Sequence, residues 1–329
     1  MTMILCFQEI DPATLPPAAP SLPPADLPAM RSHRPDRHWV VLQGEHAVAR
    51  CSAWWTETPQ IPGEKMGAVG HYAATDEQSG MTLLEHVCGE LRQAGCSLAV
   101  GPMDGNTWRS YRFVTERGSE PAFFLEPNQP ASWPKHFENS GFAPLAHYTS
   151  AINPDLTLVD ERIERARQRL LNAGVAIRNF RAEEYDAELR RIYEVSAVSF
   201  RDNYLYTPLP EDLFIAQYMR IRERVKPELI MIAEHEERPV GYVFGLPDWL
   251  QKSRGEEMNR LIVKTVAILP GKTFGGLGNV LVSDCQQRGR ELGFQSAIHA
   301  LMHESNNSRN LSGRYAQTMR RYTLYFRRL

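Results

Sequence analysis

The segment LIVKTVAILPGKTFGGLGNVL, residues 261–281, constrains the fold of this chain more than any other stretch. Its first nine residues are rich in β-branched side chains, which favour a buried strand. Pro270 then ends the strand, because proline lacks the amide donor that a sheet ladder needs. Gly275, Gly276 and Gly278 follow, and glycine accepts positive φ and lets a backbone approach a ligand closely. The segment therefore predicts a strand, a tight turn and a helix, as in α/β sheets.

The turn in this segment has the chemistry of an anion site. Amides between Phe274 and Asn279 would point outward at the first turn of the helix, where free donors and the helix dipole suit a pyrophosphate. Lys272 can add a mobile positive charge. Two common glycine motifs do not fit, since no Lys-Ser or Lys-Thr pair follows the glycines and their spacing is not that of a dinucleotide loop. A glycine turn that only packs a helix against a sheet is the alternative.

The chain also contains an internal repeat. When MTLLEHVCGELRQAG (81–95) is placed beside NVLVSDCQQRGRELG (279–293), at a constant offset of 198 residues, several residue types coincide. The coincident pairs are Gly80 with Gly278, Leu83 with Leu281, Arg92 with Arg290 and Gly95 with Gly293. A predicted strand precedes each of these helices and another follows it. This shared order predicts a duplicated α/β unit.

Proline sets the first part of the chain apart from the rest. Eight of the 23 prolines lie in the first 36 residues. Each proline fixes φ and removes an amide donor, so we expect neither a helix nor a central strand there. The predicted domains are a proline-rich extension (1–36), a first unit (37–152) and a second unit (153–329). A polyproline ligand for a partner is the alternative for the extension.

Composition disfavours several classes of function. Lys and Arg number 37 against 39 Asp and Glu, and a net charge of −2 disfavours a nucleic acid or an anionic membrane as a partner. We find neither a run of about 18 apolar residues nor a signal peptide, which favours a cytoplasmic protein, either a monomer or a homodimer. The five cysteines are scattered without the spacing of a zinc site, so we expect reduced thiols and no metal.

The second half, residues 175–328, resembles the GNAT superfamily of acyl-CoA-dependent N-acyltransferases. The family motif is a strand ending in Val-x-Pro, then Gln/Arg-x-x-Gly-x-Gly/Ala at the start of a helix. Pro270, Gly276 and Gly278 stand at the proline and glycine positions of this motif. Its Gln/Arg position falls on Thr273, which keeps a hydroxyl but lacks the charge, and Lys272 beside it can substitute.

The resemblance implies both a fold and a donor. We expect an α/β fold of two tandem GNAT-like units, each a mixed, mostly antiparallel sheet flanked by helices. Acetyl-CoA or another acyl-CoA is the implied donor, and in this family the strand before the loop splays so that its amides pair with the pantetheine arm. The implied cofactor-binding residues are Val266, Ala267, Leu269, Lys272, Thr273, Phe274, Gly275, Gly276, Leu277, Gly278, Asn279 and Asn307.

The first half, residues 38–150, also resembles a GNAT unit, but its loop is changed. The loop glycines are reduced to Gly80, and Asp76 and Glu77 stand where phosphates would lie. Like charges at that point oppose the binding of a pyrophosphate. We therefore expect a degenerate copy that has lost the cofactor.

Acyl transfer to an amine needs a base, a donor for the oxyanion and an acid or solvation for the leaving thiolate. Glu304, just past the strand SAIHALM, is the candidate base, and His299 within that strand is the second candidate. Tyr315 is the candidate acid, although it lies three residues beyond the family's tyrosine position. Asn307 would hold the pantetheine arm, cap the next helix, or both. Core packing is the alternative for His299 and Tyr315.

The segment SFRDNYLYTPLPEDLF (199–214) joins two predicted helices, and in the GNAT fold this connection often covers the acceptor site. The predicted acceptor contacts are Arg201, Tyr204 and Tyr206 in this segment and Tyr242 on the following hairpin. A loop packed on its own aromatic residues is the alternative.

These features predict an N-acyltransferase, foremost an acetyltransferase, acting on a primary amine of a small molecule or peptide. The amine would attack the acyl-CoA directly within a ternary complex. One alternative is a non-catalytic binding module with this fold, because the Gln/Arg and Tyr positions of the family are not met. The other is a tandem GNAT transferase that uses a larger acyl or aminoacyl donor.

Overall fold

The computed structural model describes residues 2–157, 160–304 and 316–329. Thirteen strands in this part of the chain form one sheet, and helices pack on its faces. The strands are β1 (Thr2–Phe7), β2 (Arg37–Gln43), β3 (His46–Trp54), β4 (Met66–Ala74), β5 (Leu98–Gly101), β6 (Phe113–Glu116), β7 (Ala143–Asn153), β8 (Val175–Asn179), β9 (Ile230–His235), β10 (Arg238–Pro247), β11 (Arg260–Ile268), β12 (Ser296–His303) and β13 (Gln317–Arg328). The helices are α1 (Leu27–Ser32), α2 (Glu77–Gln93), α3 (Trp133–Asn139), α4 (Glu161–Asn172), α5 (Tyr185–Ser199), α6 (Glu211–Met219), α7 (Trp249–Ser253) and α8 (Leu277–Glu291).

The two halves repeat one arrangement. Among the described strands, β4 runs parallel to β5 and β11 runs parallel to β12, whereas the other neighbours are antiparallel. Each parallel pair is connected through a helix, α2 or α8. Gly95 and Gly293 follow these helices with φ of +81° and +93°, the left-handed conformation that commonly ends a helix at glycine. The predicted α/β fold of mixed, largely antiparallel sheet with flanking helices is confirmed.

The halves exchange their last strands. β13 pairs with β7 on one edge and with β5 and β6 on the other. β7 pairs on its second edge with β12. The last strand of the second half therefore completes the first half, and the reverse is also true. The sheet is continuous across the predicted division at residues 152 and 153.

The proline-rich segment is more regular than predicted. Thr2–Phe7 pairs with β2 as an edge strand, and Leu27–Ser32 forms a short helix, so the expectation of no helix there is wrong. Pro28 lies in the first helical turn, where a missing amide costs nothing because that amide has no intrahelical acceptor. Asp26 caps the helix by accepting the Ala29 N–H at 3.0 Å.

Apolar packing holds the helices on the two sheet faces of the second half. α5 and α6 cover a face that contains Tyr242 and Phe244, and α8 covers the face that contains Leu261. α4 packs on the outside of α8, where Arg167 and Asp284 pair. No described helix has the length and apolar character needed to cross a membrane.

Candidate functional site

In the second half the ladder between β11 and β12 joins Arg260–Val263 to Ser296–His299 and ends there, and we call the space between the two strands beyond it the cleft. On its other edge β12 pairs with β7 from Ala297 to His303, with a register shift between His299 and Met302. Leu301, with φ of +60°, lies within this shift. β11 continues to Ile268 along β10. One wall of the cleft is therefore the backbone of β11 after Val263.

The register of β10 and β11 decides which amides face the cleft. The Leu269 N–H donates to the Val240 carbonyl at 2.8 Å and so points away from the cleft. Because amides alternate along an antiparallel pair, the N–H of Ala267 also points to β10, whereas those of Val266 and Ile268 face the cleft. The predicted contacts of Ala267 and Leu269 with a pantetheine arm therefore cannot be made by their amides.

The loop after β11 leads into an uncapped helix. Lys272–Phe274 forms a short 3₁₀ turn, and Gly276 is the N-cap of α8 with φ of +83°, a conformation that favours glycine. In the described residues no side chain caps α8. The amides of Leu277, Gly278 and Asn279 are thus free of intrahelical acceptors. Lys272, Thr273, Gly275 and Asn279 are exposed, Phe274 and Gly276 are half-buried, and Leu277 and Gly278 are buried.

Arg169 of α4 brings a positive charge to this loop. Its Nη2 donates to the Gly275 carbonyl and lies 3.3 Å from where a Cβ would stand at Gly276. The methyl group of Ala166 is equally close to that position. Arg169 thus places a positive charge beside the loop, and sequence reasoning missed it. The only indication in the sequence was that the helix is rich in arginine. Packing of α4 against the loop, and not spacing along the chain, brings Arg169 to this place.

In the first half the equivalent helix start is occupied by a carboxylate. Asp76 is the N-cap of α2, and its Oδ1 accepts the Ser79 N–H at 2.8 Å. The Thr75 hydroxyl also donates to Asp76, at 2.8 Å. These bonds hold the pKa of Asp76 below its usual value despite the opposing effect of partial burial. The positive end of α2 is therefore neutralised within the protein.

The equivalent cleft of the first half is closed. The Met103 N–H donates to the Val69 carbonyl at 2.8 Å, which keeps the chain after β5 against β4. A Cβ added at Gly80 would lie 2.2 Å from the Tyr72 hydroxyl and 2.7 Å from His136 Nδ1. Tyr72 and His136 are hydrogen-bonded to each other at 2.8 Å within an aromatic cluster.

Two cations lie where β11 and β12 part. Lys264 forms a bulge between β10 and β11, and its Nζ is 5.7 Å from the ring centre of Tyr218. Burial, and then the nearby Arg112, lowers the pKa of Lys264. Arg112 is 7% exposed and lies between the rings of Tyr111 and Tyr148, at 4.0 and 4.2 Å. In the described part of the chain its Nε has no hydrogen-bond partner.

Sequence reasoning missed Lys264 and Arg112. The signal for Lys264 was a charged residue inside the mostly apolar run of residues 261–269, and it falls at the bulge of β11. Arg112 gave no local signal, since it reaches this place through the fold of the loop after β5.

The predicted catalytic residues fall in different places. His299 faces α8, where its Nε2 lies 2.7 Å from the Gln286 amide nitrogen, and burial lowers its pKa to about 4. Glu304 follows β12 directly and is exposed, and its N–H donates to the His147 carbonyl at 3.0 Å. Tyr315 and Asn307 lie outside the described residues.

The predicted acceptor contacts separate into an exposed pair, a half-buried ring and a core residue. Arg201 and Tyr204 are exposed, and the ring of Tyr204 lies 5.7 Å from that of His303. Tyr206 is half-buried. Tyr242 is instead a core residue, 1% exposed, with its hydroxyl 2.7 Å from that of Ser196. Its burial departs from the predicted contact with an acceptor.

The first half holds the acceptor segment in place. Trp108, in the loop after β5, donates from Nε1 to the Thr207 carbonyl at 2.7 Å. Its ring contacts Phe200 and Tyr206, at 6.2 and 6.0 Å between centres. Leu205 is buried against the sheet of the first half. The segment 199–214 therefore packs on aromatic residues, as the alternative predicted, but Trp108, which contacts two of its rings, belongs to the first half.

Comparison with known proteins gives the fold. No family model matches the chain. The chain is similar to the GCN5-related glucosamine N-acetyltransferase region of a fungal multi-domain GH3 β-N-acetylglucosaminidase, with a TM-score of 0.54, 14% identity, and coverage of 88% of this chain and 33% of that one. A tandem GNAT protein from the clavulanic acid biosynthesis pathway gives a TM-score of 0.51 and 12% identity, covering 100% of this chain and 98% of that one. A GCN5-related N-acetyltransferase from Sphaerobacter thermophilus gives 0.50 and 13%, covering 88% and 80%.

Among curated proteins, the bacterial ceramide synthase of Caulobacter vibrioides is 24% identical over 213 residues. The match covers 64% of this chain and 56% of that protein, so the chain spans little more than half of this relative. The chain therefore has the fold of the GCN5-related N-acetyltransferase superfamily.

Proposed function

We propose that the chain is a cytoplasmic N-acyltransferase that moves an acyl group from acyl-CoA to a primary amine of a small molecule or peptide. One contrast supports this function. In the second half an uncapped helix start lies beside an open cleft, whereas in the first half Asp76 caps the helix and Met103 closes the cleft. We place the donor in the second half only.

Residues of the second half would bind the donor. The first amides of α8 donate hydrogen bonds to the pyrophosphate, and Lys272 and Arg169 add positive charge there. The cleft-facing amides of Val266 and Ile268 hold the pantetheine arm. The thioester then lies near Lys264, where the two strands part.

The acceptor amine would enter beside the segment 199–214. Tyr204 and Tyr206 line its approach, and Trp108 of the first half fixes the segment. Glu304 takes the proton from the amine, directly or through water. The amine attacks the thioester carbonyl, and the positive charges of Lys264 and Arg112 stabilise the oxyanion. The carbon–sulfur bond then breaks, and the CoA thiolate leaves as the thiol by taking the remaining extra proton of the attacking nitrogen, directly or through water.

Asn279 offers a test of the donor site that keeps the helix intact. Acetyl-CoA should raise the melting temperature of the wild-type chain, because it binds the native state. Asn279→Glu should abolish the shift, since its carboxylate repels the pyrophosphate, while Glu at the third helical position favours folding. The matched change Gln78→Glu in the first turn of α2 should leave the shift unchanged.

Two results would overturn this assignment. The first is that no CoA ester shifts the melting temperature of the wild type. The second is that Asn279→Glu, with an unchanged melting temperature of its own, keeps the full shift. Turnover of acyl-CoA with a library of amines then separates an enzyme from a binding module.

A larger donor is the second candidate. The match to a ceramide synthase favours it, because a ceramide is the amide of a long-chain fatty acid. Competition between acetyl-CoA and palmitoyl-CoA for the same site distinguishes the two. Tighter binding of palmitoyl-CoA would favour the long-chain transferase.

A further inference from the structure

Three metal-ligating side chains meet in the first half, away from the proposed acyl-transfer site. His33 is the C-cap of α1, His71 lies in β4, and Asp104 lies in the loop after β5. One ligand atom from each residue lies within 4.8 Å of the others. Residues 33, 71 and 104 share no motif spacing, so this group is invisible in the sequence.

The distances within this group suit a small cation. His33 Nδ1 is 2.8 Å from His71 Nε2, and His71 Nε2 is 3.8 Å from Asp104 Oδ2. Ligands of a tetrahedral zinc ion, at about 2.0–2.2 Å from the metal, lie about 3.3 Å apart, between these two distances. Each of these two distances differs from that spacing by about half an ångström, and all three ligand atoms lie within 4.8 Å of one another.

Among the described residues, only one oxygen of the Asp104 carboxylate accepts a hydrogen bond. Its Oδ1 accepts the His71 N–H at 2.6 Å. Its Oδ2 has no hydrogen-bond donor among the described residues, although the side chain is only 15% exposed. Burial raises the pKa of Asp104 to about 7, and a carboxylate oxygen largely shielded from water favours a cation or a donor as its partner. Oδ2 faces the two imidazoles.

Neighbouring groups hold the three ligands in position. His71 Nδ1 lies 2.8 Å from the Ser52 hydroxyl, and a histidine that binds a metal through one ring nitrogen usually makes such a hydrogen bond with the other. Arg109 donates from Nη1 to the carbonyls of His33 and Asp104, at 2.9 and 3.1 Å. Its charge opposes a second cation, and the Asp104 carboxylate offsets that charge.

We propose that His33, His71 and Asp104 form a binding site for a divalent transition metal ion, with Zn²⁺ as the fitting species. Two imidazole nitrogens and one carboxylate oxygen are ligands that Zn²⁺ takes, and water completes its coordination. The ion ties the proline-rich segment to β4 through His33. The site departs from the sequence expectation of no metal and is independent of the acyltransferase proposal.

Metal binding by the full-length chain without an affinity tag tests the site. After dialysis against a chelator, the wild type should bind one equivalent of Zn²⁺ by calorimetry, and Co²⁺ should give the visible absorption of a four-coordinate site. Asp104→Asn keeps the shape of the side chain and its acceptor for the His71 N–H. Loss of a residue that only hydrogen-bonds to a metal ligand lowers metal affinity roughly 10–100-fold, so loss of the ligand Asp104 should lower it by at least as much.

His33→Gln should weaken binding in the same way. His46→Gln, which changes the exposed histidine at the start of β3, is the matched control and should bind like the wild type. The proposal is overturned if the wild type binds no stoichiometric metal, because the imidazoles then form only a hydrogen-bond chain. It is also overturned if His46→Gln lowers the affinity as much as Asp104→Asn, or if Asp104→Asn and His33→Gln, both folded, bind normally.

Discussion

Arg320 and Arg321 are neighbours on β13 and lie in opposite environments. Arg320 Nε is 2.8 Å from Glu126 Oε1, and these side chains are 4% and 1% exposed. Arg321 Nε is 3.0 Å from Glu116 Oε2, with side chains 51% and 69% exposed. Arg320 also donates to the carbonyls of residues 120 and 121, so it cannot move to solvent when its partner is lost.

Neutralising Glu126 should therefore destabilise the protein far more than neutralising Glu116. We expect Glu126→Gln to lower the free energy of unfolding by about 3 kcal/mol, because it leaves a buried guanidinium without a counter-charge. Glu116→Gln should change it by less than about 1 kcal/mol, since the pair is exposed. Urea unfolding of both variants measures the difference, and equal losses would contradict it.

Some residues of the site could be placed from the sequence, and others could not. Gly276 and Thr273 could be placed in the loop from spacing alone, because the strand, proline and glycines are contiguous. Arg169, Lys264 and Arg112 could not, since packing between distant segments brings them to the cleft. His299 and Tyr242 lie in predicted elements, but which sheet face each side chain points to depends on a register that the sequence does not state.

At the scale of elements, α2 and α8 differ at one end only. Both end at glycines that the repeat aligns, but Asp76 caps α2 and Gly276 caps α8 without a side-chain acceptor. The carboxylate of Asp76 lies at the start of α2, whereas the described start of α8 has neither a capping side chain nor an acidic residue in its first turn. This difference follows from the sequence, because a capping aspartate is readable at the start of a helix.

Removing the cap of α2 should cost stability. We expect Asp76→Ala to lower the free energy of unfolding by about 1 kcal/mol, because it leaves the Ser79 amide without an acceptor. Asp76→Asn keeps an acceptor and should cost less. Thermal or urea unfolding measures both, and an Asp76→Ala variant as stable as the wild type would show that the cap contributes nothing.

Other elements were not predictable from local sequence. β6 is only four residues long, and it forms because these residues find an edge of β13 about 200 positions away. α1 forms despite Pro28, because the first helical turn tolerates proline. The local pattern predicted the strand, turn and helix of residues 261–281, but strand order depends on contacts that no local pattern encodes.

At the scale of the whole molecule, neither half has a complete sheet of its own. A fragment of residues 1–156 would lack β13, which would leave the facing edges of β5 and β7 unpaired. We expect this fragment to be unfolded or aggregated alone, and the same for residues 157–329. Co-expressed, the two should form a stable one-to-one complex, measured by light scattering and circular dichroism. Cooperative unfolding of either fragment alone would contradict this expectation.

The exchanged strands also set the order of events during synthesis. β5 leaves the ribosome more than 200 residues before β13, its neighbour in the sheet. Closing a contact over such a separation is slow, and unpaired strand edges are prone to aggregate while they wait. The first half therefore cannot mature as it emerges, and we expect it to depend on chaperones until β13 has been made.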